Sequence, residues 1–175
     1  MLKSPTVGLF LFVCGMAPAA AQSLERAEAA YFRGDYVDAI QMMRPIAEQG
    51  DRHAQYLIGF MYERGQGVSE DPAKAAEWYG RAAELGNPFA QNNLGVLYKN
   101  GRGVTQDYVQ AYKWFNLAAE GYLPAEFGHR ERAVLNQQSV AETMTSDEIS
   151  AAQKLAEEFR ESQEGLPEDR PPRVR

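Results

Sequence analysis

Few residues in this chain have both the type and the spacing for chemistry. The two histidines, His53 and His129, stand far apart, and no carboxylate cluster at metal-ligand spacing accompanies them, so the ligand set of a zinc site does not assemble. Gly65-Gln66-Gly67-Val68 and Gly101-Arg102-Gly103-Val104 have the glycine content of phosphate-cradling loops, yet neither ends in Gly-Lys-Ser/Thr nor follows a strand pattern. Neither Gly-x-Ser-x-Gly nor Ser-x-x-Lys occurs after residue 21. Asp71 and Asp107 are the carboxylates a catalytic pair would draw on, but each sits where a helix start needs a side-chain acceptor. No catalytic residue, metal or cofactor is expected. What remains is binding, and the elements that carry a binding surface have to be found first.

The N-terminus reads as an export signal over residues 1–21. Lys3 supplies the positive start, Val7 to Met16 form an apolar run, and Ala19-Ala20-Ala21 offers small residues to a signal peptidase, with cleavage placed after Ala21. The run is shorter than the about 20 residues of a spanning helix, and no second hydrophobic stretch follows, so no membrane insertion is expected after cleavage. Cys14 is the one cysteine, and Val13 before it is not the small residue that lipid attachment needs. The expected location is periplasmic or secreted. The mature chain then has no cysteine, which excludes disulfides and thiolate nucleophiles. Its net charge is −6 with the signal, and more negative once Lys3 is lost. Such a balance disfavours nucleic acid, which is bound through basic contacts to phosphate, and equally an anionic membrane surface.

A 36-residue period organises the rest. Gly50, Ala54, Gly59, Tyr62, Gly65, Gly67, Val68 and Asp71 recur as Gly86, Ala90, Gly95, Tyr98, Gly101, Gly103, Val104 and Asp107. Ala75, Trp78, Ala82 and Ala83 recur as Ala111, Trp114, Ala118 and Ala119. A period of this length signals a stacked array in which each unit is one supersecondary element. Within a unit, Ala54, Ile58, Met61 and Tyr62 fall at helical spacing, the glycine loop ends that helix, and Asp71-Pro72 opens a second one with a capping carboxylate and proline at the first helical position. Asp107 and Gln110 have capping-box spacing, and Asp35 is expected to cap likewise. Glycine at 59 and 95 costs a helix about 1 kcal/mol, so its recurrence in register points to close helix approach. Trp78 and Trp114 are read as core residues.

Ahead of the two full copies lies a shorter relative, in which Tyr31 and Gly34 align with Tyr62 and Gly65 only if about five loop residues are missing. After Glu120, Pro124-Ala125 begins a further copy that then loses the pattern. Thr145 and Glu148 make another capping box, with Ile149, Ala152, Leu155, Ala156 and Phe159 on one face of a closing helix and charges on the other. The expected divisions are a signal (1–21), an atypical opening repeat (22–49), two full repeats (50–85 and 86–120), a degenerate repeat with a connector (121–143), a C-terminal capping helix (144–162) and a disordered tail (163–175).

The sequence Ala-x-x-x-Ile/Leu-Gly-x-x-Tyr, then Gly-x-Gly-Val, then Asp with Ala-x-x-Trp and a closing Ala-Ala-Glu, resembles the Sel1-like repeat, over roughly Leu24 to Leu135. The family is similar to tetratricopeptide repeats with longer loops. The resemblance implies an all-α fold, a right-handed α-solenoid of antiparallel helix pairs with a C-terminal capping helix. It also implies a non-catalytic scaffold or regulator in a bacterial envelope. The first helices then line the concave face, which places Phe32, His53, Tyr56, Phe60, Glu63, Phe89, Asn92, Val96 and Lys99 where a partner would meet them. An aromatic strip flanked by charges suits a peptide or helix from an unidentified envelope protein. The alternative function is binding or hydrolysis of peptidoglycan, for which no convergent catalytic set is visible.

Overall fold

The computed structural model describes residues 19–164. The expected export signal lies outside them, save for Ala19 to Ala21, which open the first helix; so does the tail from residue 165. Eight α-helices and no strand occur among the described residues: α1 (Ala19–Arg33), α2 (Tyr36–Glu48), α3 (Arg52–Arg64), α4 (Pro72–Glu84), α5 (Pro88–Asn100), α6 (Tyr108–Gly121), α7 (Phe127–Ala141) and α8 (Ser146–Glu164). Successive helices pack in order from α1 to α7, the arrangement of an α-solenoid. The first helices α3, α5 and α7 also touch one another directly, whereas α2, α4 and α6 approach one another no more than marginally. That difference puts the first helices on the inner, concave side.

The helix starts follow the expected chemistry with one exception. Asp71 accepts from the Lys74 amide and Asp107 from the Gln110 amide, each at 3.0 Å. Asp51 and Asn87, also 36 residues apart, cap α3 and α5 in the same way. Thr145 and Glu148 close a reciprocal box at the start of α8. Asp35 makes no cap: its carboxylate is held by Arg33 at 3.0 Å, and a ψ of 57° turns the residue away from the extended conformation the other caps adopt. Two residues separate α1 from α2, against seven between α3 and α4 or α5 and α6, so the five missing loop residues are real.

The core is built from repeated aromatic–glycine contacts. A Cβ added at Gly59 would lie 2.7 Å from the Tyr79 ring, and one at Gly95 would lie 2.7 Å from the Phe115 ring. The rings of Tyr79 and Phe115 are wholly buried. Small side chains thus let the helices of one unit approach while the aromatics fill the space between them. Gln55 and Gln91 add a polar tie: each buried amide donates to the carbonyl of Ala47 or Ala83, joining a first helix to the end of the preceding second helix. These carbonyls belong to the last turn, where no helical amide is available.

Two differences lie at the C-terminal end. Within 121–143, where a connector was expected, α7 continues to Ala141, because Ala133 and Val140, seven residues apart, are buried along one side of it. Gln163 and Glu164, assigned to the tail, belong to α8. This helix closes the array by running alongside α6, with Gln153 beside Tyr112, Phe159 edge-on to Trp114 at 5.5 Å, and Arg160 on Asn116 and Glu120.

Candidate functional site

The inner face carries a chain of ring contacts that spans three first helices. On α3, His53, Tyr56 and Phe60 follow one another at helical spacing, with ring centroids 6.1 and 6.4 Å apart. Tyr56 then reaches Phe89 on α5 at 5.7 Å, and Phe89 reaches His129 on α7 at 5.0 Å and Tyr122 at 5.1 Å. Four of the nine expected positions, His53, Tyr56, Phe60 and Phe89, therefore come together. Charges flank them: Glu28 of α1 contacts the His53 imidazole at 2.9 Å, and the Arg64 guanidinium lies over the Phe60 ring at 5.3 Å.

The other five positions have different surroundings. Phe32 is 82% exposed, edge-on to Tyr31. Glu63 accepts the Tyr79 hydroxyl at 2.7 Å and lies 3.8 Å from Arg102, which pairs more closely with Glu70. Val96 packs against the buried cluster that contains Tyr112, Phe115 and Val140. Asn92 is buried and accepts from Asn136 of α7, and Lys99 donates to Ser139 of the same helix at 2.9 Å. At these last two positions α7 occupies the place a partner would take.

Sequence reasoning passed over Glu28, Arg64, Tyr122 and the Tyr79 hydroxyl. Tyr79 was visible as a core aromatic in register with Phe115, and the extra hydroxyl at that register was the available signal for a polar anchor. Tyr122 and His129 carry no repeat signal, because they fall where the pattern decays. Burial raises the phenol pKa of Tyr79 far above its ordinary 10.0, with Glu63 adding to the effect; burial also raises Tyr56 and Tyr122. Asp71, by contrast, is lowered first by the Lys74 backbone amide, the signature of a cap. Among the described residues no three His, Cys, Asp or Glu side chains converge on a metal position.

The raised phenol has a consequence for stability. Above pH 10, the unfolded chain loses the Tyr79 proton while the folded chain keeps it, so stability falls as pH rises. Urea unfolding between pH 9 and 11 should show this group's contribution steepening from about −0.7 kcal/mol per pH unit at pH 10 toward about −1.4 near and above pH 11. Tyr79→Phe should remove that share of the slope; an unchanged slope would show that Tyr79 ionises in the folded protein.

The repeat boundaries match a known family. The Sel1 repeat family model covers residues 52–87 and 88–122, the spans of α3–α4 and α5–α6. The chain belongs to the Sel1 repeat family. Among solved structures, it is similar to a protective antigen present in uropathogenic Escherichia coli strains, which displays an SLR fold: TM-score 0.71, 26% identity, 89% of this chain and 35% of that one. It is also similar to a Sel1 repeat protein from Oxalobacter formigenes, with TM-score 0.55 and 34% identity over 65% of this chain and 89% of the other. A curated relative, chitin synthase regulatory factor 3 of Schizosaccharomyces pombe, is 46% identical over 46 residues, which is 26% of this chain and 5% of that protein. This Sel1 array therefore spans only a small part of the curated relative it matches. Sel1 repeats generally mediate protein–protein interaction and are typically non-catalytic scaffolds.

Proposed function

We propose that this Sel1 array is a non-catalytic scaffold or regulator of the bacterial envelope, and that its inner face binds a peptide or helix of another envelope protein. The observation that carries the reading is the ring chain His53–Tyr56–Phe89–His129, with Phe60 beside it, running across three helices on the concave side. Half-buried aromatics held by their neighbours offer contact area at little entropic cost, and the flanking Glu28 and Arg64 supply charges of both signs for register. The signal-like residues 1–21 support export, and the regulatory factor among the relatives supports a role through binding. Among the described residues no helix is long and apolar enough to cross a membrane.

The test is affinity capture from envelope extracts with wild type and Phe60→Glu. A buried charge at the centre of an interface costs about 2 kcal/mol or more, so capture of the specific partner should weaken at least about thirtyfold while the helical circular dichroism is retained. Equal capture by the two proteins removes the inner face from the binding role.

A further inference from the structure

Each first helix of the full repeats, α3 or α5, has a second helix packed antiparallel beside it, supplied by its own unit. α7 does not, because α8 leaves it and runs along α6 instead. The side of α7 opposite buried Ala133 and Val140 is consequently open. At 100° per residue that side presents Phe127, Glu131, Leu135 and Gln138, with half-exposed Val134 at its edge; Phe127 is 67% and Leu135 58% exposed. Arg130 borders the strip, and neither it nor Glu131 has an ion pair or hydrogen-bond partner through its side chain among the described residues. Apolar surface of this kind on the last unit of an array leaves the stack unfinished.

We propose that the open face of α7 is a homodimer interface, formed by α7 of a second copy packed antiparallel across a twofold axis. The pattern is self-complementary. With the axis near Arg130 and Glu131, Phe127 of one copy faces Val134 and Leu135 of the other. Arg130 of each chain meets Glu131 of its partner, so the two carboxylates near the axis are each compensated. A twofold requires one patch to serve both sides, and this one does. The partner helix takes the antiparallel place that a second helix occupies in the full units. One helix of 15 residues is about 22 Å long, so the interface lies at the small end of specific contacts and the dimer is weak, in the micromolar range.

Sedimentation velocity on the protein produced from the full chain, between about 1 and 200 µM, tests the assignment. The expected result is a reversible monomer–dimer equilibrium that stops at the dimer. Glu131→Arg should raise the dissociation constant about tenfold or more, and Leu135→Asp should do the same, with melting temperatures unchanged because both side chains are exposed. Arg130→Glu combined with Glu131→Arg should restore wild-type association within about threefold, since the exchange preserves the reciprocal pairing. A monomer throughout the range overturns the proposal. So does growth beyond the dimer, which indicates end-to-end stacking through the other exposed apolar end around Phe32, and so does a dimer indifferent to these substitutions.

Discussion

Gly103→Ala should destabilise the protein by about 3 kcal/mol, lowering the melting temperature by about 6–12 °C. Two costs add. Gly103 has a φ of 73°, a conformation that charges any residue with a Cβ about 1–2 kcal/mol. In addition, the new Cβ would lie 2.2 Å from the Pro72 carbonyl oxygen and 2.3 Å from its carbon, backbone atoms at the start of α4 that cannot rotate away. Forcing such a contact open costs a further 1–3 kcal/mol or so. Gly101 is the internal control: its φ of 63° is similar, but a Cβ there approaches chiefly Gln106, the nearest atom being a side-chain carbon at 3.2 Å. Gly101→Ala should therefore cost only about 1–2 kcal/mol. Equal losses for the two variants, measured by thermal and urea unfolding, would show that the loop does not rest on the preceding unit as described.

Phe115→Ala should cost about 3–5 kcal/mol, the range for removing a fully buried phenylalanine that leaves a cavity. The cavity cannot close easily, because the ring lies against the backbone of α5 at Gly95 and helix backbones move together or not at all. The converse substitution, Gly95→Ala, pushes a methyl into the same ring and should also destabilise. Combining Gly95→Ala with Phe115→Leu should cost less than the sum of the two single changes, since the methyl then occupies space the smaller side chain vacates. Simple additivity in chemical denaturation would count against direct contact between these residues as the source of the effect.

The two variants probe features that differ in how far the chain alone reveals them. Close helix approach at Gly59 and Gly95 was legible, because the two glycines recur in register, whereas the rings they admit, Tyr79 and Phe115, came from the packing. The caps at Asp71 and Asp107 were legible for the same reason. Asp35 misled, since a matching residue type at a matching position was drawn off by neighbouring Arg33, a local competition that periodicity does not encode. α7 was half legible: its polar run Asn136 to Ser139 looks like a connector until Ala133 and Val140 are seen buried against the array.

The candidate site divides along the same line. The resemblance to related solenoids placed first-helix residues outside the alanine pattern on one face, and the rings of Tyr56, Phe60 and Phe89 are in contact there. Only the tertiary structure decided that Asn92 and Lys99 of α5 bond to α7 rather than face open surface, that Glu28 comes to His53, and that Glu63 accepts the Tyr79 hydroxyl. A repeat period specifies the unit and the contacts each unit makes with its identical neighbours, so the fold could be read from spacing. Where the period decays there is no identical neighbour, and the path of α8 along α6, with the open face it leaves on α7, follows from packing between particular side chains such as Trp114 and Phe159.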